Sequence, residues 1–501
     1  MCILHTINLD SKVIKNKLKR QMGLLLITAT GICSMMGASI NVIPFMIQKN
    51  VPGIGPYVVP AFLFAAIPAV FAAFAYAILS SAMPRAGGSY LYASRGLSPY
   101  LGFIASFSQW FGLSIVIGVI SYIIVPFIRD VFFNLEFYNI SNFLEVGSIQ
   151  LIISLLFIWL FVYVNIIGGK LYRNTLIPML IIMFSLGGIV IISGLLFDQN
   201  DFIDSVYRTE SRVIEPILEK SFDWKIFLTA STLMFSSFIG FDAIAQTGNE
   251  AKNPTKNIPR AILLAIFIVS LYYILFTISV YNIVPWNFIA DESLTKDVTA
   301  PGLLSYVLPP FWGILIIIGA AIALINDLPA MILSVSRLMF AWSKDNIFPE
   351  KISEIHPKFN TPHRAIIYVG IVASIGAFGS HFAGDFFLGI DIMVTAMMIN
   401  FLLMCITLIS IKRVNPILYN NITIIKNRTI QVLIGFTGSI IIFIFLVIHT
   451  FKDLSSNVDG WYFHSTYIYL IVMTAASLYF AIRWNRVKTK NINTYKELPL
   501  E

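Results

Sequence analysis

The sequence predicts an all-α integral membrane protein of twelve transmembrane helices, the first and sixth of them discontinuous. Three observations point there. Hydrophobic residues make up 57% of the 501 and charged residues only 12%, about half the usual quarter, and the mean hydropathy is +0.81. Twelve apolar stretches are each long enough to cross ~30 Å of hydrocarbon. Two of them are interrupted at mid-depth by small and polar residues. A soluble chain with so few charges could not cover its own surface, which excludes a secreted domain, a nucleic-acid binder and a disordered scaffold.

The expected spans are 22–47, 57–83, 100–128, 149–168, 174–197, 225–248, 259–284, 309–341, 364–381, 384–411, 430–450 and 464–484. At these lengths only helices satisfy their backbone in lipid, since barrel strands would alternate and run about ten residues. An even number puts both ends on one side. Assigning that side to the cytoplasm places 26 Lys and Arg there and leaves 8 on the other face, a strong positive-inside asymmetry. The net charge of +8 thus records topology. Both termini are expected in the cytoplasm of a cell-membrane protein.

This gives a basic N-terminal segment (1–21), five helices (22–197), an external loop (198–224), five more helices (225–411), two final helices (412–484) and a tail (485–501). The basic stretch from Lys12 to Arg20 precedes an apolar run that is too long for a signal peptide and has no cleavage site. Cys2, Cys33 and Cys405 lack CxxC or metal spacing, and the six histidines form no metal pattern. No HExxH, Walker loop or GxSxG elbow occurs. Neither a metal, a cofactor nor an enzymatic activity is expected.

The first span carries Ser34-Met35-Met36-Gly37-Ala38-Ser39-Ile40-Asn41, and the sixth Ser236-Ser237-Phe238-Ile239-Gly240-Phe241-Asp242. Each lies in the first helix of a five-helix set, and paired breaks at matching positions of two halves point to a transporter site. Unwinding a helix at the bilayer centre frees amides on one side and carbonyls on the other, tolerated only where they line a cavity or meet a ligand. The amides suit a carboxylate and the carbonyls an ammonium. The alternative is that these small residues are helix-packing contacts.

The flanks of these breaks resemble the amino acid–polyamine–organocation (APC) transporter superfamily. FIGFDAIAQTGNEAKNPTKNIPRAI (Phe238 to Ile262) resembles its sixth span and following inner loop. PRAGGSYLYASRGLSPYLGF (Pro84 to Phe103) resembles the loop between the second and third spans, and SRLMFAWSKDNIFP (Ser336 to Pro349) followed by TPHRAI the passage from the eighth to the ninth. The GFD triplet is most similar to the cationic amino acid transporter branch and its prokaryotic relatives. The resemblance implies a five-plus-five inverted repeat with two additional helices, and amino acid transport by alternating access. It implies that the backbone around Ser34, Met35, Met36, Gly37, Ala38 and Ser39 holds the substrate carboxylate. The carbonyls of Ser236, Ser237, Phe238 and Ile239 would hold the amine, with Phe241 as an aromatic gate or, failing it, Phe238.

The chain also departs from the family. Where the family reads G-[ST]-G-I-F, this chain reads Gly37-Ala38-Ser39-Ile40-Asn41, putting polar groups at Ser39 and Asn41. The fifth span has no lysine from Asn174 to Ser185, and the eighth no Ser or Thr from Gly313 to Leu333, so side-chain selectivity and ion coupling do not carry over.

Charge within a span is costly and usually functional. Asp242 either caps the amides after the sixth-span break or takes part in protonation or substrate contact. Asp327, beside Asn326 and two residues before Pro329, is a candidate for proton coupling, or with Asn326 for oxygens to sodium, or for a packing role. Asp391 reads as a gate or solvated cap near the outer end. Gln109 and Trp110 read as core packing, with a place on the cavity wall as the alternative, and Arg85, Arg337 and Glu250 as an inner gate from position alone. The expected function is a secondary active transporter for an amino acid, working by proton-coupled symport. Exchange, sodium-coupled symport and a non-transporting amino acid sensor are the alternatives.

Overall fold

The computed structural model describes residues 18–37, 39–214, 221–296, 298–383, 386–456, 460–488 and 497–499. Most of the N-terminal segment, part of the loop after residue 214 and most of the tail lie outside the described residues. Among those described the chain is helical, with no β-strand beyond one isolated bridge between Met22 and Ala251.

Among the described residues twelve helices are long and apolar enough to cross a membrane: Leu24–Asn50, Gly55–Ala82, Pro99–Asn134, Gly147–Ile167, Gly169–Leu196, Trp224–Gln246, Pro254–Ile283, Pro310–Lys344, His363–Phe382, Leu388–Val414, Arg428–Ser455 and Ser465–Asn485. Their outer faces are apolar. Leu156, Ile181, Phe267, Leu433 and Ile482 are all exposed, and hydrocarbon, not water, is the solvent that tolerates such a surface.

The first and sixth spans are the most enclosed, with 94% and 78% of their most apolar stretches buried. The third span packs along the eighth, ninth and tenth, and the second along the seventh. Small residues allow the close approaches: a Cβ on Gly118 would lie 2.2 Å from the Ala373 carbonyl oxygen, so third and ninth spans touch backbone to backbone.

Both enclosed spans are broken. The first runs as Leu24–Met35, leaves helical geometry at Met36 and Gly37, and resumes as Ser39–Asn50. The sixth runs as Trp224–Met234, tightens into a 3-10 turn over Phe235–Phe238, and passes through an extended Ile239. Gly240 then takes φ +134°, a region only glycine occupies without strain, before a single turn at Ala243–Gln246.

Candidate functional site

The two breaks meet. A Cβ on Gly240 would lie 2.1 Å from the Ser34 carbonyl oxygen and 2.8 Å from the Met35 nitrogen, so backbone lies on backbone and no side chain fits between. The Met35 carbonyl, left over where the first half-helix ends, accepts a 2.7 Å hydrogen bond from the Tyr273 hydroxyl of the seventh span.

Beside this junction stands the eighth span. Its Asp327 is 2% exposed, and its Oδ2 lies 2.9 Å from where a Cβ on Gly37 would be. Neighbouring Asn326 donates from Nδ2 to the Cys33 sulfur at 3.0 Å. Asn165 of the fourth span donates to the Pro329 carbonyl at 3.1 Å. Four buried polar atoms around the breaks have no hydrogen-bond partner: Ser34 Oγ, Ser237 Oγ, Asn326 Oδ1 and Asp327 Oδ1. Buried polar groups are normally paired, and each such orphan costs about 1–3 kcal/mol.

A cavity of about 670 Å³ rises from the junction, its floor formed by Ser34, Met35, Gly37, Ser236, Ile239 and Asp327. Its walls come from the first, third, eighth and tenth spans and are apolar, as with Val116, Ile120, Leu324 and Met393. It reaches the surface past Arg129, Asp130, Lys296 and Thr299. There Arg129 pairs with Asp130 at 2.7 Å, and Lys296 with Glu292 at 2.5 Å. Glu292 also meets Arg212, whose guanidinium lies over the Phe288 ring. Burial acts to raise the Glu292 carboxyl, but hydrogen bonds and charge from Lys296 and Arg212 outweigh it and hold it below its ordinary value.

The remaining singled-out residues that are described lie off the cavity wall. Met36, Asn41, Ser237, Phe238, Phe241, Asp242 and Asn326 are buried, and Ala38 and the Ser39 side chain fall outside the described residues. Phe241 stacks on Phe401 with centroids 5.0 Å apart and meets Tyr76 edge-on. Phe238 packs against Phe62 and Tyr273. Asp391 lines a smaller adjoining cavity of about 210 Å³ with Ser236 and Lys452.

Asp242 does not cap the turn that follows it. Its Oδ1 reaches back to accept from the Gly240 amide at 3.1 Å, and its Oδ2 accepts from Gln109 Nε2 of the third span. The Gln109 oxygen in turn accepts from Ser89 Oγ at 2.6 Å and Gln246 Nε2 at 3.3 Å. Gln109 is therefore a member of a buried polar network tied to the sixth-span break, beyond the packing role its sequence suggested. A glutamine inside an otherwise apolar span was the available signal.

At the end opposite the cavity mouth, two ion pairs join the helices. Arg337 donates to Glu250 Oε1 from Nε at 3.0 Å and Nη2 at 2.6 Å. Arg95 pairs with Asp345 at 2.5 Å, and the Tyr90 hydroxyl donates to the same carboxylate at 2.7 Å. The Glu250 carbonyl also accepts from the Gln21 and Met22 amides, both at 2.9 Å, lacing the chain before the first span to the loop after the sixth.

Comparison with known proteins agrees with this architecture. The amino acid permease family profile matches residues 22–476. The branched-chain amino acid permease BcaP of Bacillus subtilis is 22% identical over 382 residues, covering 72% of this chain and 75% of that protein. The chloroplastic cationic amino acid transporter 9 of Arabidopsis thaliana is 27% identical over 361 residues, covering 68% of this chain and 58% of that protein. The methylthioribose transporter of B. subtilis is 25% identical over 379 residues, covering 74% and 77%. With twelve membrane-length helices and a profile match over most of its length, this chain is a multi-pass membrane protein of the amino acid permease family in the APC superfamily, a permease and not an enzyme.

Proposed function

We propose that this permease is a secondary active transporter that carries an amino acid across a cell membrane by alternating access, as a proton-coupled symporter. The observation that supports it most is the junction itself, where two helix breaks abut at the floor of an open cavity lined by Ser34 and Asp327, each with an unpartnered side-chain oxygen among the described residues. In this reading the backbone from Ser34 through Ser39 holds the carboxylate, and the carbonyls of Ser236 to Ile239 hold the amine.

Asp327 supplies the coupling. Its carboxylate lies beside Gly37, where the substrate carboxylate would sit, and two negative charges this close repel strongly in a low dielectric. A proton on Asp327 removes the repulsion, so substrate and proton bind together. Asn326 stands next to it as the second coupling candidate, its amide held on the Cys33 sulfur, and the network of Gln109 and Asp242 fixes the sixth-span break. Phe241 gates the site by leaving its stack on Phe401, and Asp391 gates the adjoining cavity.

The distribution of basic residues supports cytoplasmic termini. The cavity then faces outward, while the Arg337–Glu250 and Arg95–Asp345 pairs close the inside. The breaks at Gly37 and Gly240 fall at matching positions of two five-helix sets (22–197 and 225–411), which supports an inverted repeat with helices eleven and twelve added.

The test is uptake of radiolabelled amino acids into proteoliposomes under an inward proton gradient at fixed sodium. Gradient-driven accumulation, lost in Asp327→Asn and kept in Leu156→Ala on the lipid face, is the expected result. Uptake that ignores the gradient and needs preloaded amino acid would make the protein an exchanger. No uptake of any amino acid would remove the function.

A further inference from the structure

We infer that the cavity selects amino acids with bulky apolar side chains and rejects cationic ones; this rests on the transport reading above and names its substrate class. The substrate's charged head belongs at the floor, where the freed backbone of both breaks and Asp327 are gathered. Its side chain must then point into the walls. The apolar lining consists of Val116 and Ile120 of the third span, Leu324 and Met331 of the eighth, and Ile390 and Met393 of the tenth, with others nearer the mouth. None of these can meet a charge. The thioethers are unbranched and polarizable, which lets one pocket fit several apolar shapes.

A lysine or arginine side chain would need an anion. Among the described residues the lining contains two, Asp130 and Asp327, while Asp391 lies in the adjoining cavity, which Lys452 also lines. Asp130 stands at the mouth, already paired with Arg129 at 2.7 Å. It is ten residues from Ile120 along one helix, or roughly 15 Å at 1.5 Å per residue. Asp327 is at the floor beside Gly37, where it faces the substrate head and, in the transport reading, carries the proton. Neutralising a cationic side chain there would forfeit that proton. Lys296 and Arg129 at the mouth are likewise paired, with Glu292 and Asp130, so the mouth holds no unpaired carboxylate among these residues for a cationic side chain. A cationic side chain is thus left unpaired among aliphatic groups, at a cost far above that of a misfit methylene.

The experiment is equilibrium binding of tritiated L-leucine and L-lysine to the purified full chain in lipid nanodiscs, with unlabelled isoleucine, methionine, phenylalanine, alanine, lysine and arginine as competitors. Leucine should bind, and the other bulky apolar amino acids should compete within about tenfold of it. Lysine and arginine should be at least about 100-fold weaker. In Ile120→Asp or Met393→Glu, which place an anion in the wall, lysine should gain affinity and leucine should lose it. Lysine or arginine binding the native protein as well as leucine, or alanine matching leucine, would overturn the inference and leave amino acid transport standing. Binding of no amino acid would bring down both. Should either variant fail to fold, the competition on the native chain still decides.

Discussion

Asp327 lies against Gly37: its Oδ2 is 2.9 Å from the point that a Cβ on Gly37 would occupy. A mid-membrane carboxylate on the eighth span and the break in the first span thus share one contact, which no local pattern in either span specifies. Whatever binds the break is felt by the acid.

The two break glycines should therefore fail differently. In Gly37→Ala the new methyl meets the end of a side chain that can swing, so folding is expected at a cost of about 1 kcal/mol. The swing displaces the carboxylate from the floor, and uptake should drop about tenfold or more. In Gly240→Ala the methyl meets the Ser34 carbonyl at 2.1 Å and the residue must keep φ +134°. Backbone cannot step aside, so a loss of about 3 kcal/mol or more is expected. Size-exclusion profiles together with uptake separate the outcomes, and a well-folded Gly240→Ala would show that the two breaks do not abut.

The Gln109 network gives a graded expectation. Gln109→Leu removes a donor from the buried Asp242 carboxylate and strands Ser89 and Gln246, at about 2–3 kcal/mol. Ser89→Ala removes one donor to Gln109 and should cost about 1 kcal/mol. Thermal unfolding in detergent should rank Gln109→Leu below Ser89→Ala, and equal effects would mean that the Asp242 contact adds nothing.

The spans and both breaks were legible because each is written locally. Hydrophobic run length sets where a helix can cross, and the described helices begin and end within a few residues of the apolar stretches, except where the third, fifth, seventh and eleventh extend beyond the apolar core. The Ser and Gly clusters at 34–39 and 236–240 stand out against the surrounding Leu, Ile and Phe. Position suggests Arg85, Arg337 and Glu250 as a group, of which Arg337 and Glu250 pair, but nothing local suggests the pairing of Arg95 with Asp345. Their sequence separation is 250 residues, and each looks like an ordinary charge in an inner loop. The cavity wall was equally silent, since Ile120 lining the cavity and Ile181 on the exposed outer face are the same residue in the same kind of run.

Arg337 and Glu250 should behave as a unit. Arg337 is 2% exposed and the Glu250 side chain 11%, so removing one partner leaves a charge with little water to solvate it. Arg337→Met alone is expected to lose about 3–5 kcal/mol, and Arg337→Met with Glu250→Gln to recover part of it. Additive losses in this double-mutant cycle would mean that the pair contributes no coupling.

The mouth of the cavity carries a pH dependence whose sign is fixed by Glu292. Its carboxyl is held below its ordinary value, because Lys296 and Arg212 outweigh the effect of burial. A group whose folded-state value is depressed contributes stability that is fully present above its unfolded value and is lost as pH falls through the folded one. The contribution should thus be constant from neutral pH down to the ordinary glutamate value of about 4.3, and shrink below it. Glu292→Gln lacks the charge at every pH and serves as the reference. The native chain should unfold at higher temperature than the variant at pH 7, by an amount corresponding to roughly 1 kcal/mol for this partly solvated cluster. The gap should close once the carboxylate is protonated, and high salt should narrow it at neutral pH by screening both partners. A gap that instead widened on acidification would mean that Glu292 is stabilised in its neutral form, and that Lys296 and Arg212 do not pair with it.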